Sequence, residues 1–199
     1  MPGMSRRIID LETPERFATG TIGDPGEPTF FLQAVQAGHV TTVQLEKEQV
    51  EVLADRVLAV IDEVERRGLA AIDAGPAGIP DERPLEEPLR EEFRVGTMVI
   101  AWDEDVDQIV VEARSMHFDA GAGDVALRDG DEFDEDEIPD DAPIGPDVLR
   151  VHLTPIMAQQ FARRANSVVA GGQPTCPYCG AALEATGHFC SRRFDDLVH

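Results

Sequence analysis

Four residues near the C-terminal end of the sequence have the types and the spacing of a zinc site. Cys176 and Cys179 are separated by two residues, and His188 and Cys190 follow after a gap of eight residues. Two thiolates at this spacing can reach one tetrahedral ion, and four protein ligands leave no coordination position for a substrate. The pattern C-x2-C-x8-H-x-C therefore predicts a structural rather than a catalytic zinc ion.

The cysteine content supports metal binding over other uses of these thiols. The chain has three cysteines, all between 176 and 190, and an odd, clustered set does not fit a disulfide framework. A redox role for Cys-x-x-Cys needs a strand-to-helix setting, which the surrounding sequence does not show. Unmodified thiols are the remaining alternative, and His199 or Asp195 could replace His188 as the fourth ligand.

Outside this segment the sequence contains no recognisable catalytic motif. It has no phosphate-cradling glycine loop and no dinucleotide fingerprint. Ser115 lies near His117, but no glycine-flanked nucleophile elbow surrounds it. We interpret His117 and His152 as structural or surface histidines. Arg192 and Arg193 are candidate phosphate contacts, although a pair of exposed arginines is more often simply solvated.

An acidic run occupies residues 129–141, where nine side chains are carboxylates. Carboxylate oxygens suit Ca²⁺ or Mg²⁺, but the run lacks the ligand spacing of an EF-hand loop. It also has too few apolar residues to offset the entropy of ordering. We therefore expect a solvated loop, or alternatively a strip that covers a basic surface of this chain or of a partner.

The elements that must position these residues contain an internal repeat. Residues 40–61 and 148–169 align without a gap at an offset of 108 and are identical at six positions. Each copy is an alternating strand that leads into an amphipathic helix. Arg56 and Arg164 are one of the identical pairs, which makes them candidate phosphate contacts. Any two strand–helix units share such a pattern, but we favour a true duplication.

Both helices have clear beginnings and ends in the sequence. Apolar residues over 50–64 recur at helical spacing, and Gly68 is expected to end the first helix after two arginines. Thr154 is expected to cap the second helix, with Pro155 at its first position. Gly171 and Gly172 are expected to stop it.

Three strands are predicted before each helix, which gives an α+β fold built from a duplicated β-β-β-α unit with mostly antiparallel sheet. The strands are expected at 16–22, 29–37, 39–45, 93–102, 107–115 and 149–153. The duplicated body spans 1–172, with copy one at about 10–72, copy two at about 90–172 and an acidic loop at 119–146. Residues 73–88 are predicted to be an irregular linker, and a small zinc-knuckle tail occupies 173–199.

The net charge of −22 restricts the partners of the protein. A chain this acidic is repelled by nucleic-acid backbones and by anionic membranes. No run of 18 apolar residues and no secretory signal is present, so we expect a cytoplasmic protein. Basic residues are almost all arginine, as is typical of a GC-rich genome such as an actinobacterial one.

Two motifs at the ends of the chain resemble those of a known family. Residues 17–33 follow the pattern FxxGTIGxPGxRxFxLQ, apart from its arginine, and residues 176–193 follow CPxCG…GHxCxRR. With the strand–helix repeat, they resemble an uncharacterised actinobacterial repeat-protein family, a domain of unknown function. The family has no established activity. The resemblance implies association with a histidine-phosphatase-like protein and with a protein similar to phosphoinositide kinases.

These observations favour a non-enzymatic, zinc-containing binding or adaptor protein whose partner is another protein, of phosphatase-like or kinase-like type. The alternative is an enzyme or ligand-binding protein that acts on a phosphorylated small molecule through Arg56, Arg164, Arg192 and Arg193. RNA binding through the zinc knuckle is a weaker third hypothesis, since the body is acidic.

Overall fold

A computed structural model describes residues 6–23, 27–69, 81–116, 127–129 and 145–171, with the backbone alone for 127–129. Within these ranges the chain forms eight strands and two helices. They are β1 (Ile8–Leu11), β2 (Arg16–Ile22), β3 (Thr29–Gln36), β4 (His39–Leu45), α1 (Lys47–Arg67), β5 (Glu91–Asp103), β6 (Gln108–Ser115), β7 (Leu127–Asp129), β8 (Val148–Leu153) and α2 (Pro155–Gly171).

The strands form one sheet in the order β1-β8-β6-β5-β4-β3-β2, and β7 pairs with β5 off this path. Strands β2, β3 and β4 form an antiparallel meander, and β5, β6 and β8 form a second one. The two meanders meet where β4 and β5 pair in parallel, and β1 adds a parallel edge strand beside β8. The predicted α+β fold with mostly antiparallel sheet is confirmed.

The six predicted strands and both predicted helices are present, with ends that differ by one or two residues in most cases. Strands β1 and β7 were not predicted, and β7 lies within the segment 119–146 that was expected to be an acidic loop. The zinc-knuckle tail and nearly all of the acidic run lie outside the described residues. Each meander leads into a helix, as expected for a β-β-β-α unit.

Turn and cap residues explain where the elements end. Ala37 and Gly38 both have positive φ, at 50° and 76°, and join β3 to β4 in a two-residue hairpin, where a twisted pair of strands needs a left-handed turn. Gly68 ends α1 in the left-handed conformation, with φ of 68°. The Thr154 hydroxyl accepts a hydrogen bond from the Met157 amide at 3.3 Å, which confirms the predicted cap of α2.

One face of the sheet packs against the helices to form the core. Alternate strand residues such as Leu32, Val43, Ile109 and Val151 are buried with helical residues including Leu53, Val57, Phe161 and Ala165. Helices α1 and α2 pack against each other, and α2 also runs along β2, where the rings of Phe17 and Phe161 are 4.6 Å apart. We call the opposite side of the sheet the outer face.

Neither α1 nor α2 combines the length and the apolarity that crossing a membrane requires, and these are the helices of the described part of the chain.

Candidate functional site

An extended segment, residues 81–88, lies across the outer face of β2 and β3, and we call it the strap. It has no helix or strand of its own. Leu85 of the strap lies directly over Gly20 of β2, so close that a Cβ on Gly20 would be 2.8 Å from Leu85 Cγ. Under the strap, Ala18, Gln33 and Thr42 are almost completely buried, although they face away from the helices.

The Gln33 side chain pairs with the backbone of the strap in the way that a neighbouring strand would. Its Nε2 donates to the Glu86 carbonyl at 3.1 Å, and its Oε1 accepts from the Glu86 amide at 2.7 Å. The same Nε2 also donates to the Thr42 hydroxyl at 3.1 Å. Buried polar groups are stable only when they are hydrogen-bonded in this way, so the Gln33 amide fixes the position of the strap on β3.

Arg16, the first residue of β2, makes four polar contacts with the strap and is 5% exposed. Its Nε donates to Asp81 Oδ2 at 2.5 Å, and its Nη1 lies 3.4 Å from Glu86 Oε1. Its Nη2 donates to the carbonyls of Arg83 and Pro84 at 2.8 and 2.9 Å. The planar guanidinium, with five donors in fixed directions, suits such a set of acceptors.

Arg164 of α2 reaches the same place from the helical side and is 9% exposed. Its Nε donates to the Thr19 carbonyl of β2 at 2.6 Å, and its Nη1 donates to the Asp81 carbonyl. Both acceptors are neutral main-chain oxygens, and Arg164 forms no ion pair with a carboxylate of the described residues. Arg164 therefore connects α2, the edge strand β2 and the start of the strap.

More positive than negative groups lie close to Asp81. The Asp81 carboxylate accepts hydrogen bonds from Arg83 and Arg16, and these lower its pKa well below the ordinary value despite the opposing effect of burial. The pKa of Arg164 is also lowered, first by burial and then by repulsion from Arg16, with Asp81 opposing. Three guanidinium groups thus share one close carboxylate, with Glu86 at the margin.

A second charged cluster crosses the outer face of β6, β8 and β1. Glu112 accepts from Arg114 Nε at 2.7 Å and from Arg150 Nη2 at 2.9 Å. Asp10 lies 3.4 Å from Arg150 Nη1 and 3.1 Å from His152 Nε2. Glu112, Arg150 and Asp10 are direct cross-strand partners, so this ladder of alternating charge aligns the three strands.

One known protein family matches nearly the whole of the chain. The family described as "Protein of unknown function (DUF3090)" matches residues 9–190. The chain belongs to the DUF3090 family. No curated protein and no solved structure matches the chain. The expected domain of unknown function is thereby confirmed, and the family description assigns no activity to the DUF3090 fold.

Only some of the predicted site residues lie in the described part of the DUF3090 chain. The candidate zinc ligands Cys176, Cys179, His188 and Cys190 lie outside it, as do Arg192, Arg193 and His117. The described residues contain no group of three or more potential metal ligands. Arg56 and Arg164 each occupy the tenth position of their helices, but Arg56 is half-buried, whereas Arg164 is enclosed between β2 and the strap.

The residues that sequence reasoning missed are Arg16, Gln33, Asp81 and Glu112. One signal for the strap was present, because Ala18 and Gly20 are small residues at alternate positions of a strand, and glycine within a strand often marks the close approach of another segment. Nothing in the sequence shows which segment approaches. The acids of the strap resemble those of any solvated linker.

Proposed function

We propose that this DUF3090 protein is a non-enzymatic binding or adaptor protein with a structural zinc ion in its C-terminal segment. The observation that carries the proposal is the strap. The outer face of β2 and β3 holds an extended polypeptide through its main-chain groups, with Arg16 donating to two carbonyls and Gln33 pairing with the Glu86 backbone. Recognition of extended segments through the main chain is typical of binding domains.

The zinc part of the proposal rests on the chemistry of the donor set. Three thiolates and one imidazole are a standard set for a structural, four-coordinate zinc ion. The test is metal analysis of the full-length protein expressed with ample zinc, where we expect one zinc ion per chain. Cys176→Ser and Cys190→Ser should each lower the content, and a wild-type content far below one would contradict the proposal.

A pair of histidine variants identifies the fourth ligand. His188→Ala should lower the zinc content as the cysteine variants do, and His199→Ala serves as its matched control. Because the core of the body is formed by residues before 172, chelation of the metal should leave the far-ultraviolet circular dichroism of the body largely intact. The reverse result for the two histidines would reassign the ligand to His199.

The partner that we propose is another protein with a basic face, of phosphatase-like or kinase-like type. The net charge of −22 supports a basic partner, because complementary charge steers association and is screened by salt. Affinity capture on the full-length protein from native extract, followed by mass spectrometry, should yield one such protein at low salt and less of it at high salt. Capture of no protein above the bead control would contradict the adaptor role.

A second candidate function is the binding, or the conversion, of a phosphorylated small molecule. The observation that favours it is Arg164, a buried guanidinium whose described partners are neutral carbonyls. Arginine is the usual residue for recognition of phosphate groups. If a phosphorylated ligand bound and no protein partner were captured, this candidate would replace the adaptor role.

We also propose that the two β-β-β-α runs arose by duplication. They share the order of elements, and each helix packs against the first strand of the other run, α2 on β2 and α1 on β5. Sequences of other DUF3090 proteins provide the test. Their halves should match each other at the corresponding offset more closely than unrelated strand–helix units do, and an absence of such a match would contradict the duplication.

A further inference from the structure

We propose that Arg164, with Arg16 and Arg83 beside it, binds a small oxyanion with two negative charges, such as a phosphate group, at the edge strand β2. This inference deepens the second candidate function. It does not depend on the zinc ion or on a protein partner. It rests on the unused donors of Arg164, on the excess of positive charge around it, and on the access of solvent to that point.

The first step is the count of donors on Arg164. A guanidinium has five N–H donors, and two of those of Arg164 are used, on the carbonyls of Thr19 and Asp81. The remaining donors have no acceptor among the described residues. A buried charged group without a charged partner is costly, so an anion at Arg164 would relieve an existing penalty and would gain charge-assisted hydrogen bonds.

The second step is the balance of charge. Arg16, Arg83 and Arg164 together carry three positive charges, whereas Asp81 and Glu86 carry two negative ones. Glu86 lies 3.4 Å from Arg16 and is 48% exposed, and the other two carboxylates of the strap, Glu82 and Glu87, are exposed and form no described contact with these arginines. The Asp81 carboxylate is bonded to Arg16 and Arg83. Among the groups that contact one another, positive charges therefore exceed negative ones by one, although the strap and the whole chain are acidic.

The third step is access. Within the described part of the chain, Trp102 Nε1 is the one fully enclosed polar side-chain atom that lacks a hydrogen-bond partner. Arg164 Nη2, which has no acceptor among the described residues, is not such an atom and is therefore in contact with solvent. Arg83 is 67% exposed at its side chain and can turn towards an incoming ligand. A small oxyanion can thus meet Arg164 Nη2 and Arg83 from the solvent side.

The site contains a built-in competitor, which makes the inference testable. Asp81 supplies the carboxylate that two of the three arginines already bind, and an oxyanion at Arg164 would be repelled by it. Asp81→Asn removes one negative charge and keeps a side chain of similar shape. We therefore expect Asp81→Asn to bind oxyanion several-fold more tightly than wild type. If these arginines act only as structural anchors for the strap, the same change would create no gain.

The experiment is calorimetric titration of inorganic phosphate into the full-length protein at constant ionic strength, with chloride as the reference anion. Wild type should bind phosphate saturably at one site, Arg164→Gln should weaken binding at least tenfold, and Arg164→Lys should fall between them. Arg163→Gln is the matched control, because Arg163 is the exposed neighbour on the same helix, and it should bind as wild type does.

Circular dichroism establishes that each variant is folded before it is titrated. If Arg164→Gln fails to fold, Arg164→Lys and Asp81→Asn still test the site, since both keep the charge or the shape of the original residue. Wild type that shows no saturable binding at millimolar phosphate would overturn the inference. So would binding that Arg164→Gln leaves unchanged, or binding that Asp81→Asn fails to strengthen. None of these results bears on zinc content or on capture of a protein partner.

Discussion

If the strap lies on the sheet in solution, Leu85 contacts Gly20. The variant Gly20→Ala tests this contact. The added Cβ would lie 2.8 Å from Leu85 Cγ, 3.0 Å from Cδ1 and 3.3 Å from Cδ2. The shortest of these distances is one that carbon atoms do not adopt, so the Leu85 side chain must move. Overpacking of this kind costs about 1–3 kcal/mol.

A second effect of the substitution reduces the expected loss of stability. Gly20 is not among the described glycines with positive φ, so alanine fits its backbone and restricts the unfolded chain, which stabilises by about 0.4–1 kcal/mol. We therefore expect a net loss of about 1 kcal/mol for Gly20→Ala, from the midpoints of the two ranges. Leu85→Ala should cost less than the roughly 2–5 kcal/mol of a fully buried leucine, because Leu85 is half-buried.

The double variant isolates the contact. In Gly20→Ala with Leu85→Ala, the new methyl group enters the space that the leucine has left, and the overpacking disappears. The free energy of unfolding should then exceed the additive expectation by about 1 kcal/mol, which is within the range for residues in contact. Urea unfolding followed by circular dichroism and by the fluorescence of the single tryptophan, Trp102, measures all three variants.

The control and the refuting result are both defined by the structure. A Cβ on Gly171 would meet nothing within 4 Å, so Gly171→Ala should not destabilise the protein. In thermal unfolding, each 1 kcal/mol corresponds to about 2–4 °C for a domain of this size. If the effects of Gly20→Ala and Leu85→Ala simply add, the two side chains do not meet in solution and the strap is not held on this face.

Three further predictions concern charge. Hydrogen bonds from Arg83 and Arg16 lower the pKa of Asp81, so the stability it provides is complete above its unfolded pKa of about 3.9 and is lost as the pH falls through the lower folded value. Asp81→Asn should therefore be less stable than wild type at pH 7, and its free energy of unfolding should fall less on acidification. Urea unfolding at both pH values measures this, and equal acid sensitivity of the two proteins would contradict the prediction. Glu112→Gln removes the carboxylate that bridges Arg114 and Arg150, whereas Asp10 still faces Arg150, and it should cost about 1.5–3 kcal/mol, the range for hydrogen bonds to charged groups. A loss of under about 0.5 kcal/mol, the size of an ordinary surface substitution, would show that the ladder is not coupled. Deletion of residues 130–141 keeps β7 and should leave the melting temperature almost unchanged, whereas unfolding of the body would contradict the solvated-loop interpretation.

Periodicity in the sequence was sufficient to predict six of the eight described strands and both helices. Alternation of apolar residues identifies the strands of both meanders, and helical spacing identifies α1 and α2, because one side of each element packs into a single core. Gly38, Gly68 and Thr154 end or begin elements through their own backbone or side chain, so their roles are local. Strand β1 has only four residues, Ile8–Leu11, which is too short for a periodic pattern.

The strap could not be predicted in this way, because its contacts are not local. Arg16 and Asp81 are 65 residues apart, and Arg164 and Asp81 are 83 apart. The segment is rich in proline and acids, which is typical of a linker, and its main-chain carbonyls are the acceptors that Arg16 uses. Any sequence provides carbonyls, so composition cannot distinguish a strap that is bound from a linker that is solvated.

Because Arg56 and Arg164 are aligned in the proposed repeat, the sequence predicts the same role for both. Their positions relative to the sheet explain why their surroundings differ. Each helix packs against the first strand of the other β-β-β-α run. For α2 that strand is β2, which lies at the end of the sheet and leaves the Thr19 carbonyl available to Arg164. For α1 it is β5, which is already paired with β4. A residue shared by the two β-β-β-α runs therefore has a distinct environment at the edge strand, because an open sheet has an edge that its central pairs of strands lack.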